Sequence, residues 1–92
     1  MIRSFRCKAT ESLFHRKRVK RLESCAEKAR EVLVMLHSAT LADLAVIPGL
    51  NLEKLKGNRR KEHSIRINKQ YRVCFIWERG DAYAVAIEKH YE

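Results

Sequence analysis

The sequence predicts an α+β fold of two layers, with helices packed on one face of an antiparallel sheet. Three observations carry that prediction. Helical periodicity is confined to the first half of the chain and two-residue alternation to the last third, so helices precede strands instead of alternating with them. The strand-like runs are joined by short connections, Lys69-Gln70 and Arg79-Gly80-Asp81, which suit antiparallel neighbours. Finally, 92 residues allow one domain, residues 1–92, built around a single modest core. The apolar fraction of 46% is that of a folded chain and argues against disorder.

In chain order, Ile2 and Phe5 anchor a short first strand. Thr10 is placed to cap a short helix carrying Leu13 and Phe14. The basic run from His15 to Arg21 reads either as a solvated connector or as a contact to a phosphate backbone. Residues 22–37 form the clearest helix. Leu22, Ala26, Ala29, Leu33 and Leu36 recur at spacings of three and four, while Glu23, Glu27, Arg30 and Glu31 take the other side. Residues 41–47 are apolar and short, with Thr40 as a cap and Pro48-Gly49 as the stop. Residues 50–55 read as extended and lead into a basic loop, residues 56–62, where Gly57-Asn58 signals a turn.

In the last third, Ile65 and Ile67, then Val73, Phe75 and Trp77, then Tyr83, Val85 and Ile87 occupy alternate positions. Successive strand side chains point to opposite faces, so these residues share one apolar face, where the long helix packs. Arg66, Arg72, Cys74, Ala84, Ala86 and Glu88 share the other. Unbroken alternation brings His90 to the arginine side as well, provided that no bulge shifts the parity.

The net charge of +9 and pI near 9.9 favour an anionic partner, and nucleic acid is the commonest. The charge is clustered. Lys54, Lys56, Arg59, Arg60, Lys61, Arg66, Lys69 and Arg72 all fall within residues 52–77, opposed there only by Glu53 and Glu62. Other classes recede. Cys7, Cys25 and Cys74 make an odd count without a CxxC pair, which disfavours a disulfide framework and a zinc site. No run approaches the roughly 18 apolar residues of a membrane span, and the N-terminus lacks the apolar run of a signal peptide, so a cytoplasmic location is expected. There is no Gly-rich phosphate loop, nucleophile elbow or HExxH, and the histidines show no metal-ligand spacing.

What remains is a set of arginines and lysines with a terminal His90-Tyr91. That set suits RNA cleavage by the RNA's own 2′-hydroxyl, which needs no metal and no protein nucleophile. The reaction needs a base for the 2′-oxygen, an acid for the departing 5′-oxygen, and cations where negative charge builds on the phosphate. Histidine suits either proton role, and arginine grips a phosphate through two parallel hydrogen bonds.

The stretch LEKLKGNRRKEHSIRINKQYRVCFIW, with MIRSF at the start and IEKHY at the end, resembles the RelE/HigB superfamily of bacterial toxins. It is most similar to the HigB branch, over nearly the whole chain. The motifs that carry the resemblance are L-x-x-L-K-G-x-R, S-I-R-x-N and an aromatic-Arg-hydrophobic-x-Phe element. The resemblance implies a microbial RNase-like (RelE-type) fold, with helices on a curved antiparallel sheet of about four to five strands. It implies a ribosome-dependent endoribonuclease that cuts mRNA in the ribosomal A site without metal or other cofactor, arresting translation and growth. It also implies a cognate helix-turn-helix (HigA-like) antitoxin, with operator DNA reached only through the antitoxin complex.

Carried over by motif, Arg72 is the phosphate clamp of the aromatic-Arg element, Lys56 and Arg59 are the basic positions of L-K-G-x-R, and Arg66 is the arginine of S-I-R-x-N. The expected catalytic set is Arg72, His90, Tyr91, Arg66 and Lys56. The RNA backbone falls to Lys54, Arg59, Arg60, Lys61 and Lys69. Two positions depart from the family pattern. HigB-like chains often end in Asp-Tyr-His, where Lys89-His90-Tyr91 stands here, and Glu53 replaces a histidine of some relatives. Lys89 and Lys56 are therefore further candidates for a proton role. The altered ending also favours an alternative: a catalytically weak or inactive basic module of the same fold that binds RNA or an antitoxin.

Overall fold

The structure, a computed structural model, describes residues 1–90. Three helices, α1 (Lys8–Phe14), α2 (Ala26–Ser38) and α3 (Leu41–Val46), precede four strands, β1 (Glu53–Lys54), β2 (Glu62–Arg66), β3 (Tyr71–Glu78) and β4 (Asp81–Lys89). Two 3-10 segments, Lys20–Cys25 and Gly57–Arg59, complete the elements. The sheet is antiparallel, with its strands in sequence order. The helices all lie against one face. Leu13, Leu22, Val32, Leu33, Leu36 and Leu44 share a core with Ile65, Val73, Phe75 and Val85, all of them fully buried.

The amphipathic segment is α-helical later than its periodicity predicts. Lys20–Cys25 winds as 3-10, and Cys25, at φ −126° and ψ 9°, separates it from α2. Leu22 still reaches the core, because a 3-10 turn places it on the same side. Thr40 caps α3 as expected. Its hydroxyl accepts from the Asp43 N–H at 3.1 Å, and the Asp43 carboxylate accepts from the Thr40 N–H at 3.1 Å, a reciprocal capping box.

Thr10 has a different role from the cap expected of it. It sits inside α1, fully buried, and its Oγ1 accepts from the Ile87 N–H at 2.9 Å. The reason lies in how the sheet ends. The N-terminal segment pairs with the outer edge of β4 in parallel, through bridges Ile2–Ala82 and Phe5–Val85, instead of forming a full strand. That pairing covers β4 only as far as Val85. The next donor on that edge, the Ile87 N–H, is buried and needs an acceptor, and Thr10 supplies it.

The β4 strand carries a bulge. Cys74 faces Ala86, but Ile76 faces Tyr83, so Ala84 and Val85 together oppose Phe75. Ala84 takes φ +52°, and its N–H donates to Ser4 Oγ at 2.8 Å. The bulge inverts the parity of the strand's first residues and corrects the expected face assignment. Tyr83 lies with Ile76 on the arginine side, and Ala82, opposite Trp77, takes the core position with no exposure. Val85 and Ile87, beyond the bulge, keep the core side. Trp77 faces the core but is only half-buried, edge-on to Phe75 with ring centres 6.3 Å apart. The Arg79-Gly80 turn, with φ +49° and +84°, has both central residues left-handed, as a two-residue hairpin that follows strand twist requires.

Candidate active site

The strand register assembles the site. Antiparallel partners share a face, and Ser64 opposes Cys74, Arg66 opposes Arg72, and Arg72 opposes Glu88 on the side away from the helices. Cys74 and Ala86 are small and buried there, although no helix covers them. Long side chains lie over them instead, and these form one ion-pair network.

Glu88 is its centre. The Glu88 carboxylate accepts from Arg59 at 2.6 and 3.0 Å, from Arg72 Nη2 at 2.9 Å and from Arg6 at 3.2 Å. Arg59 also donates to Glu62 at 2.8 and 3.0 Å, and Arg6 donates to Glu62 at 3.0 Å. The hydrogen bonds from Arg59, with those from Arg72 and Cys74, outweigh the opposing cost of burial and hold Glu88 down at about 2. Arg59 also leads the lowering of Glu62, and the two carboxylates in turn raise Arg59. Burial, with Glu88 beside it, pushes the Cys74 thiol up to about 11. Cys74 is therefore a neutral donor and not a thiolate nucleophile.

Beside this network lies a small cleft of about 20 Å³, lined by Asn51, Glu53, Ser64, Arg66, Arg72 and His90. Arg72 Nη1 stands 3.3 Å from His90 Nδ1. Arginine can only donate, so a hydrogen bond between them requires His90 Nδ1 as the acceptor. The ring's backbone is fixed by the His90 N–H, which donates to the Gln70 carbonyl at 2.6 Å. The cleft's chemical capacity is plain: two guanidinium groups on neighbouring strands, cross-strand from each other, with one imidazole at the rim.

The structure brings Arg66, Arg72 and His90 together. It distributes the other expected residues elsewhere. Arg59 is turned inward to Glu62 and Glu88, which leaves its guanidinium occupied. Lys56 is exposed at the start of the basic loop and does not line the cleft. Lys54, Arg60 and Lys61 line a separate groove with His63 and Trp77. Lys69 is exposed in the β2–β3 turn. Lys89 pairs with Tyr71, so it lies on the opposite face from Glu88 and cannot join His90. Tyr91 lies outside the described residues. Among the described residues, no group of three or more His, Cys, Asp or Glu side chains is arranged to hold a metal ion.

Three contributors had weak or no sequence signal. Ser64 shares its parity with Arg66, and alternation alone could have placed it in the cleft. Asn51 arrives because the Arg66 N–H donates to the Leu50 carbonyl at 2.6 Å, bringing that segment against β2. Arg6 joins through the parallel pairing of the N-terminus with β4, a contact across 82 positions that no local pattern announces.

Comparison with known proteins points one way. The pattern of the HigB-like toxin family, the RelE-like toxin HigB of type II toxin–antitoxin systems, matches residues 3–90. Toxin HigB-1 of Vibrio cholerae serotype O1 is 36% identical over 76 residues, covering 80% of each chain. Among solved structures, a copper-bound mutant toxin from Helicobacter pylori superposes with a TM-score of 0.63 at 15% identity, over 98% of this chain and 96% of that one. The YoeB–YefM complex from Staphylococcus aureus gives 0.61 at 20% identity, over 99% of both chains. These last two likenesses concern the fold, and it is the sequence pattern and the Vibrio relative that fix the family: the chain belongs to the HigB-like branch of the RelE-like toxins of type II toxin–antitoxin systems.

Proposed function

We propose that this toxin is a ribosome-dependent endoribonuclease that cuts mRNA in the ribosomal A site. The observation that carries the reading is the convergence of Arg66, Arg72 and His90 on one cleft of an otherwise solvent-facing sheet surface. In this reading the scissile phosphate sits against Arg66 and Arg72. The RNA's 2′-oxygen loses its proton to a base and attacks phosphorus. The P–O5′ bond breaks, and the 5′-oxygen leaves with a proton from an acid. The products are a 2′,3′-cyclic phosphate and a 5′-hydroxyl. The two guanidinium groups stabilise the charge that builds on the phosphorane oxygens, and preorganised donors of this kind are the largest lever available. In this reading His90, which contacts Arg72, carries one of the two protons, with Tyr91 as the second candidate.

The ribosome contributes the rest of the mRNA path, and exposed Lys56, Arg60, Lys61 and Lys69 meet its phosphates. A helix-turn-helix antitoxin neutralises the toxin and brings it to operator DNA. The setting is cytoplasmic. Primer extension on translating ribosomes tests the reading: the parent protein should create new 5′ ends at codon spacing, and His90→Ala should reduce them. Absence of new ends from the active, folded parent would rule the reading out. The second reading, a binding module that does not cleave, has one specific observation behind it. Glu88 already occupies Arg72 and Arg59, so a phosphate must share Arg72 with a carboxylate.

A further inference from the structure

Beyond the cleft, the far end of β3 carries a second concavity, of about 410 Å³, lined by Lys54, Arg60, Lys61, His63, Ile76, Trp77 and Glu78. Small-ligand clefts span roughly 300–1,000 Å³. We infer that this groove is a base-stacking subsite for single-stranded RNA. The inference rests on the RNA-cleaving reading above and gives the strand a second point of attachment.

Two features of the groove fit that ligand. The first is charge. Three cations face a single carboxylate, Glu78, and among the described residues no ion pair holds Lys54, Arg60 or Lys61. The arginines of the Glu88 network are held by carboxylates, whereas these three cations are available to phosphates. The second is the aromatic wall. His63 stacks on Phe75 at 5.9 Å and 19°, and Trp77 meets Phe75 edge-on, so two rings are braced from behind by a buried third. Trp77 is half-buried, which leaves part of its ring open. Braced aromatic faces beside cations are how proteins hold single strands without reading their sequence.

Arg72 and Trp77 stand at opposite ends of β3, roughly 16 Å apart at about 3.3 Å per residue, and on opposite faces of the sheet. A strand whose phosphate lies at Arg72 reaches the groove a few nucleotides along by turning round the end of the sheet, past Arg60 and Lys61. An acidic peptide matches the cations too, but it does not use the braced rings.

Trp77 is the one tryptophan of the chain, so its fluorescence reports the groove directly. The probe is a short 2′-O-methyl oligoribonucleotide, which has no free 2′-hydroxyl and cannot be cleaved. It should quench Trp77 saturably. An abasic oligomer of the same length and charge should leave the emission largely unchanged. The surface variant Arg60→Glu/Lys61→Glu should weaken the quench about ten-fold or more, through lost phosphate contacts. Equal quenching by the abasic oligomer, an unchanged affinity in the double variant, or quenching by an acidic peptide but not by RNA would each overturn the inference. Cleavage on ribosomes, measured in parallel, separates the two readings. Cleavage without quenching removes only the subsite, and quenching without cleavage removes only the nuclease.

Discussion

Replacing Arg72 with alanine tests the proposed site and the network at once, because the side chain belongs to both the Glu88 ion-pair network and the lining of the cleft. Its Nη2 and Nε donate to Glu88 Oε1 at 2.9 and 3.3 Å, and its Nη1 lies against His90. Only 19% of the side chain is exposed. Removing one partner of a fully buried ion pair costs about 3–5 kcal/mol, since a naked charge stays behind. Glu88 is not left naked here. Arg59 still donates to it at 2.6 and 3.0 Å, and Arg6 at 3.2 Å. The stability cost should therefore be smaller, about 1–2 kcal/mol, and a domain of this size loses roughly 4–8 °C in Tm per kcal/mol. Arg72→Ala should melt several degrees lower but remain folded at assay temperature. The chemical cost is separate. Loss of one preorganised donor at a developing phosphorane should remove about 3–4 kcal/mol, or roughly a hundred- to a thousand-fold in cleavage rate. Arg72→Lys should recover part of the rate, because lysine keeps the charge but not the fork. Cleavage on translating ribosomes and thermal melts of parent and both variants make the comparison. A folded Arg72→Ala that cleaves at near-parental rate would show that the arginine cleft is not the active site.

Three further outcomes test the packing and the network. Thr10→Val keeps the shape of a buried side chain but leaves the Ile87 N–H without its acceptor, so it should destabilise by about 1–3 kcal/mol in denaturant melts; an unchanged midpoint would refute the edge-sealing role. Phe75→Ala, at a fully buried ring, should cost about 3–5 kcal/mol, and Trp77→Ala, at a half-buried one, distinctly less; the reverse order would mean the two residues are placed wrongly. Stability should also fall in acid. Glu88 is held at about 2 in the folded protein against an ordinary 4.5, so its contribution is full above about pH 4.5 and is lost as the pH drops toward 2. Discounted for partial exposure, that loss is about 1–2 kcal/mol. Glu88→Gln should flatten this part of the Tm-against-pH curve, and an equally steep curve in the variant would assign the acid loss to other groups.

The sequence by itself determined the layers, the long amphipathic segment, the Thr40 cap, the hairpin turns and the side of the sheet on which Arg66, Arg72 and His90 lie. Each of these follows from local rules, the 3.6- and two-residue periods and the chemistry of a few turn and cap residues. Only the tertiary structure decided the rest. The bulge at Ala84-Val85 breaks the two-residue parity, and it sent Tyr83 to the arginine side and Ala82 to the core. Alternation cannot reveal such a break, because one extra residue leaves the composition of the strand unchanged. Thr10 looks like a helix cap in sequence, but the Ile87 N–H, 77 positions away, claims its hydroxyl. By charge alone the clustered cations looked equivalent along the chain, and only the family motifs set some of them apart. Folding divided them, turning Arg59 inward to Glu62 and Glu88, setting Arg66 and Arg72 across from each other, and leaving Lys54, Arg60 and Lys61 around the groove beside Trp77. Charge clustering in sequence records only how many cations are near one another along the chain. Which of them meets a carboxylate depends on contacts between distant segments, and these form only when the sheet closes.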